Sequence, residues 1–266
     1  MNIKLTIGQF YPGDSVIHAL DARVKLAGTF FFIVSLFYAD NFYGYLAAFI
    51  LLSAVIVLSG VPPRLLLRGI RSILFIIVFA AVFNIFFNPG ETVLLEWQFI
   101  RISYEGAITA ARMVIRLALL ITASSVMTLT TSPIQLTDAL EYLLKPLKKI
   151  KVPTHEIAMM MTIALRFIPT LLEETDKIIK AQTARGADFV TGSIMKRAKN
   201  LIPLLVPLFV SAFRRADELA VAMDARCYRG DTGRTKMKVM KLRGRDAAAI
   251  IILAAYSVLL WLTKMA

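Results

Sequence analysis

The chain has 266 residues, 58% of them from the apolar set AVILMFWYC, and its mean hydropathy is +0.67. Soluble domains hold about 45–50% apolar residues even with glycine counted, so composition argues against a soluble enzyme. With 31 Lys+Arg against 18 Asp+Glu the net charge is +13, which on so apolar a chain must be gathered into a few segments.

Five stretches carry no Asp, Glu, Lys or Arg: Leu26–Ala39, Asn41–Pro63, Ser72–Gly90, Leu117–Thr137 and Ala247–Thr263. Each is read as a membrane-spanning helix, for which about 17–25 residues are needed. The first is short, and is extended by Val24 and by Lys25, whose ammonium would snorkel to the lipid surface. Residues 88–106 are read as an outer loop. With a cytoplasmic N-terminus, the inner segments are 1–25 (Lys4, Arg23, Lys25), the 59–72 connection (Arg64, Arg68, Arg71) and 131–246, while Arg101 and Lys264 lie outside. This is the bias that the positive-inside rule demands. Residues 131–246 alone hold 21 Lys/Arg and 12 Asp/Glu, hence 9 of the 13 net charges.

Two features sit inside the spans. Arg112 and Arg116 stand one turn apart in the fourth, either lining a substrate path or snorkelling and pairing with Glu105 or internal acceptors. Asn84 in the third reads as a hydrogen-bonding link between helices. The first 23 residues are mostly polar, with Pro12-Gly13-Asp14-Ser15 where an apolar core would be required, so no cleavable signal peptide is expected. The single cysteine, Cys227, can form no internal disulfide.

The chain thus divides into four spans over 1–130, a cytoplasmic region over 131–245 and a last span over 246–266. Within the cytoplasmic region, Ile157–Leu165 and Asn200–Phe213 are apolar but too short to cross a bilayer. They are read as parts of long helices lying along or under the membrane, apolar early and charged late. Ser132 as N-cap and Pro133 at the first helical position start a helix that runs to Leu144. Thr154 caps a second, which continues through Pro169 to Arg185 with Gly186 just past its end. A third starts after Gly192-Ser193 and runs through Pro203 and Pro207 to about Cys227.

The ends of the two long helices repeat each other. Ala181-Gln182-Thr183-Ala184-Arg185 and Ala222-Met223-Asp224-Ala225-Arg226 share Ala-x-x-Ala-Arg, and acidic residues precede both: Glu173, Glu174 and Asp176 in one, Asp217 and Glu218 in the other. Small residues at i and i+3 leave one flank low, so a groove wall could approach while the arginine projects. Equally, an arginine in a last turn simply complements the negative end of the helix dipole.

At these residues the chain resembles the transmembrane T component of the energy-coupling factor (ECF) transporters, EcfT. That family carries two Ala-Arg-Gly motifs at the ends of two long coupling helices. The first is present as Ala184-Arg185-Gly186; the second departs as Ala225-Arg226-Cys227. Further stretches resemble the family in order: His18-Ala19-Leu20-Asp21-Ala22-Arg23-Val24-Lys25, Leu129-Thr130-Thr131-Ser132-Pro133, Leu165-Arg166-Phe167-Ile168-Pro169 and Arg214-Arg215-Ala216-Asp217-Glu218. The resemblance implies an all-α integral membrane scaffold of about five transmembrane helices and three coupling helices, two of them long. It further implies a multi-pass cell-membrane protein that joins a substrate-binding membrane S component to two ATPase subunits, identical or paired, for vitamin or micronutrient uptake. Each arginine motif would dock on one ATPase through charge-assisted hydrogen bonds. ATP and Mg would reside on those partners, with no cofactor on this chain. Because cysteine takes the left-handed cap less freely than glycine, the second helix is expected to end differently, with Gly230 making the turn.

Met159, Met160 and Met161, with Leu165, Pro169, Leu204, Pro207 and Leu208, are read as a surface for the S component or as packing between the long helices. The basic clusters Lys145/Lys148/Lys149/Lys151, Lys196/Arg197/Lys199 and Arg234–Arg245 adjoin apolar segments and suit anionic lipid headgroups better than nucleic acid. No Gly-x-x-x-x-Gly-Lys-Ser/Thr loop is present, His155-Glu156 lacks the second histidine of a zinc helix, and no catalytic or metal site is expected. The competing reading is a membrane-embedded channel or enzyme working without ATPase partners. It would need polar residues recurring along several spans, or a carboxylate or histidine pair at one depth, and the spans offer neither.

Overall fold

The computed structural model describes residues 10–39, 41–87, 93–97, 100–187, 193–230 and 242–265. Among them eight α-helices follow in chain order: α1 (Ala22–Tyr38), α2 (Phe42–Ser59), α3 (Pro63–Phe87), α4 (Tyr104–Thr130), α5 (Pro133–Leu144), α6 (Thr154–Ala184), α7 (Ile194–Ala225) and α8 (Gly244–Met265). The protein is an all-α membrane protein, with one small addition. Strands β1 (Val93–Trp97) and β2 (Ile100–Ser103) pair antiparallel between α3 and α4, where the sequence suggests a plain loop.

Charged residues do not end the helices as the uncharged runs suggest. α3 begins at Pro63, so Arg64, Arg68 and Arg71 occupy its first turns, exposed, rather than a connection before it. α4 begins at Tyr104, capped by the Ser103 hydroxyl accepting from the Gly106 N–H, and holds Arg112 and Arg116 in its body, as expected of the fourth span. By length and composition α2, α3, α4, α6 and α8 are each able to cross a membrane. α6 qualifies through its first half only, since Glu173, Glu174, Asp176, Lys177 and Lys180 crowd the second. α1 has 17 residues. At 1.5 Å per residue it covers ~26 Å, slightly less than the ~30 Å hydrocarbon core.

The chain groups into two compact units, Met1–Ala139 with Val239–Ala266, and Leu140–Lys238. In the first, α1, α2, α4 and α8 share a core built on Phe32, Leu36, Ala48, Leu52, Leu119 and Tyr256, with Leu36 and Ala48 fully enclosed. Val61, Leu66, Val126 and Leu129 join α3 to α4. Glycine permits two close approaches. A Cβ on Gly28 would lie 2.8 Å from Leu253, and one on Gly69 would lie 3.0 Å from the Ser125 hydroxyl. Large apolar side chains elsewhere on these helices, such as Phe75, Phe79, Ile251 and Trp261, are exposed, as expected of helices whose solvent is lipid.

Most charged groups at the helix starts of this unit are bonded internally, although Arg116 Nε and Thr131 Oγ1 are buried without a hydrogen-bond partner. Lys25 does not snorkel: it is buried, and its ammonium donates to the carbonyls of His18 at 3.1 Å and Thr130 at 2.8 Å. Asp21 caps α1 by accepting from the Arg23 N–H at 2.9 Å and from the Arg23 guanidinium at 2.8 Å, and these bonds hold its carboxyl below the ordinary aspartate range. The Asp21 N–H in turn donates to Asp246 at 2.8 Å, whose other oxygen accepts from the Arg243 N–H and so caps α8. One polar knot therefore ties the starts of α1 and α8 to the end of α4. Arg116 donates to the Tyr45 hydroxyl at 2.8 Å and lies over the Phe37 ring, so internal pairing prevails over a substrate path for this residue. Asn84 reaches the Met113 sulfur across α3 and α4, the interhelical link its sequence context suggests.

Candidate functional site

The second unit is built on α6 and α7, and local sequence explains its boundaries. At the entry to α5 the Ser132 hydroxyl accepts from the Gln135 N–H while the Gln135 side chain accepts from the Ser132 N–H, a reciprocal capping box around Pro133. A 3-10 helix, Lys145–Ile150, follows α5, and Lys151 turns the chain in the left-handed region. The start of α6 differs from expectation: Pro153 is the N-cap and Thr154 the first helical residue, buried and not capping. Near this entry His155 Nδ1 lies 3.2 Å from a Glu141 carboxylate oxygen, giving the histidine a partner other than a metal. Among the described residues no group of three or more His, Cys, Asp or Glu could hold a metal ion.

α6 has 31 residues and α7 has 32, and each runs unbroken through its internal prolines, Pro169 in one and Pro203 and Pro207 in the other. They pack antiparallel. Arg215 of α7 meets Glu174 of α6 at 3.2 Å, and farther along, Met223 and Arg226 share a cavity with Met159, Ile163 and Arg166. Arg226 thus lies beside a part of α6 that precedes Arg185 by about 20 residues, or ~30 Å along the helix axis. The two arginine-bearing ends belong to opposite ends of the pair.

Both ends close with the same hydrogen-bond pattern. After α6, the Gly186 N–H donates to the Thr183 carbonyl and the Ala187 N–H to the Gln182 carbonyl, both at 2.9 Å, with Gly186 at φ +88°. After α7, the Cys227 N–H donates to the Asp224 carbonyl at 2.9 Å and the Tyr228 N–H to the Met223 carbonyl at 3.1 Å, with Cys227 at φ +54°. Each is a Schellman cap with the arginine at the C-cap and the next residue left-handed. The expectation of a different second end is therefore corrected. Gly230 does have a positive φ, but it lies three residues beyond Cys227, which itself makes the turn. The two satisfied carbonyls outweigh the strain that a Cβ adds in that region.

The pattern leaves Ala184, Arg185, Gly186, Ala225, Arg226 and Cys227 all exposed. Two of the nearby carboxylates are engaged on these helices. Glu174 bonds Arg215 and also accepts from Ser211, and Glu218 lies 3.7 Å from Arg214 one turn before it. The supposed docking surface divides. Leu204 is buried, Met159, Leu165 and Leu208 are half-buried, and Met160, Met161, Pro169 and Pro207 are exposed. Ile202, Leu205, Val206, Phe209, Val210 and Phe213 recur every three or four residues along α7 and are exposed too, so α7 keeps an apolar face that the pair does not cover. Lys145, Lys148, Lys149 and Lys151 are exposed; the side chains of Lys196 and Arg197, the run 231–241, and Gly192 lie outside the described residues.

Two residues near the second end escaped the sequence reading. Arg166 and Arg229 line the same cavity as Arg226, and only the word Leu165-Arg166-Phe167-Ile168-Pro169 pointed toward the first of them.

Comparison with known proteins agrees with the architecture. Residues 13–237 match the CbiQ family, described as cobalt transport protein. The energy-coupling factor transporter transmembrane protein EcfT of Ruminiclostridium cellulolyticum is 56% identical over 242 residues, covering 91% of this chain and 90% of that one. The protein of the same name from Acidaminococcus fermentans is 54% identical over 262 residues, 98% of this chain and 97% of the relative, and that from Thermosediminibacter oceani is 54% identical over 248 residues, 93% of each. The chain belongs to the EcfT family, the transmembrane component of energy-coupling factor transporters.

Proposed function

We propose that the chain is the energy-coupling scaffold of an ECF importer, linking two cytoplasmic ATPase subunits to a substrate-binding S component for vitamin or micronutrient uptake. The observation that carries this reading is the pair of Schellman-capped, exposed arginines, Arg185 and Arg226, on the antiparallel helices α6 and α7. Each arginine presents a planar fork of donors to an acidic groove on one ATPase, and the flanking Ala184 and Ala225 let the groove wall approach. ATP and Mg sit on those subunits. This chain supplies no nucleotide loop and binds no cofactor.

Motion follows from dimensions. A helix of 31 residues reaches ~46 Å at 1.5 Å per residue, so a displacement of an ATPase at one end is carried along a rigid rod. The uncovered apolar face of α7, with Met160 and Met161 on α6, receives the S component, and methionine suits partners of differing shape. Spans α1 to α4 and α8 are oriented with the N-terminus cytoplasmic, which puts Arg64, Arg68 and Arg71 on the inner side.

The test is purification of the tagged chain from its own membrane in mild detergent, with the accompanying chains identified by mass spectrometry. Two nucleotide-binding polypeptides, or two copies of one, with a small apolar membrane protein are expected. Full transport by the chain reconstituted alone would overturn the reading.

A further inference from the structure

Beside the second helix end the two long helices border an open cavity of about 620 Å³. Three arginines line it: Arg226 and Arg229 from the end of α7, and Arg166 from the body of α6. Among the described residues no aspartate or glutamate lines it, and the remaining wall is largely apolar, with Met159, Ile163 and Met223 among its residues. The Thr162 hydroxyl spends its proton on the Ala158 carbonyl at 2.9 Å, which leaves its lone pairs rather than a donor for any occupant.

Arg166 and Arg226 bring two exposed guanidinium forks to one apolar-walled space, and a carboxylate takes parallel hydrogen bonds from such forks. The apolar wall argues against a free, strongly hydrated phosphate, which would have to shed water without replacement there. It fits an acidic side chain set among apolar neighbours on a protein surface.

We infer that Arg166 is part of the second docking end, so that the ATPase carboxylate received there is held jointly by Arg226 of α7 and Arg166 of α6, with Arg229 at the rim. This rests on the docking reading above and adds to it. Arg166 precedes Arg185 by 19 residues, ~28 Å along the axis, so it cannot serve the first end. α6 thus carries one arginine for each end. An ATPase seated at the second end grips both helices, whereas Arg185 belongs to α6 alone.

The experiment uses the complex as purified. Arginines of the unmutated chain are modified with phenylglyoxal in the ATPase-bound complex and again after the ATPases are stripped by salt, and modification is read by mass spectrometry. Arg166 and Arg226 are expected to be protected together by bound ATPase, with Arg214 reactive in both states. A second measurement is ATPase binding at fixed salt. Arg166→Gln is expected to weaken it about tenfold, the scale of one lost hydrogen bond to a charged group, with Arg214→Gln binding as wild type. Protection of Arg226 with Arg166 left reactive overturns this inference alone, as does wild-type affinity in a folded Arg166→Gln chain. A wild-type chain that binds no ATPase overturns the docking reading and this inference with it.

Discussion

In the unit of α1 to α4 and α8, the charged groups at the helix starts are bound to one another: Lys25 to two carbonyls, Asp21 to Arg23, and Asp246 to the starts of both α1 and α8. In the unit of α6 and α7, carboxylates such as Glu174 are paired while Arg185 and Arg226 stand exposed at capped ends, beside an apolar face on α7 that the pair does not cover. The first pattern is what stability requires of charge in a low-dielectric surrounding, where an unsatisfied group is costly. The second has little value for folding, and on the proposed function it serves binding. On that reading the same residue types, lysine and arginine, serve opposite ends according to whether their acceptors lie within the chain.

Substitutions should separate the two roles. The largest effect on folding is expected from Lys25→Met, which keeps the apolar stem but leaves the Thr130 and His18 carbonyls without their cation. A loss of about 3 kcal/mol is expected, read as a lowered midpoint of thermal unfolding in detergent. Next is Asp21→Ala, which removes the N-cap of α1 and should cost about 1 kcal/mol in the same assay. Because Arg23 lowers the Asp21 pKa in the folded chain, this contribution is present at neutral pH and is lost as pH falls below the ordinary aspartate value of 3.8. The wild-type and Asp21→Ala melting curves should therefore converge in acid.

Smaller effects are expected at the helix ends. Cys227→Gly relieves a left-handed residue that carries a Cβ, and should stabilise the end of α7 by about 0.5–1 kcal/mol. Gly186→Cys should cost a similar amount at the end of α6, from the backbone alone, since a Cβ there meets nothing within 4 Å. Hydrogen exchange of the Ala187 and Tyr228 amides reads both. The least effect belongs to Arg214→Ala, whose ion pair with Glu218 is long and largely exposed; a change within about 0.5 kcal/mol is expected. A stability loss at Arg214 as large as that at Lys25 would break the contrast between the units.

The parts legible in the sequence are those governed by neighbours in the chain. Ser132 and Pro133 announce α5, and Gly186 with Arg185 marks the end of α6, because caps and dipoles act within one turn. The burial of Lys25 is not legible locally, because one of its acceptors, the Thr130 carbonyl, lies 105 residues away. The turn at Cys227 is hidden for another reason: residue preference is a matter of about a kilocalorie, and the two hydrogen bonds of the cap exceed it. The β1–β2 hairpin is short and lacks a strong turn signal. Arg166 sits mid-helix, nineteen residues before the end that drew notice, and only the antiparallel packing of α6 and α7 brings it to Arg226.

The central claim is tested most directly by charge reversal at the two ends. ATPase binding to Arg185→Glu, Arg226→Glu and the double variant is measured against wild type, with the melting temperature of each chain as a check on folding. Each single reversal is expected to weaken binding at least tenfold and the double variant to abolish it, all with unchanged melting. Binding and transport at wild-type levels in the double variant would show that Arg185 and Arg226 are ordinary helix ends and would contradict the account.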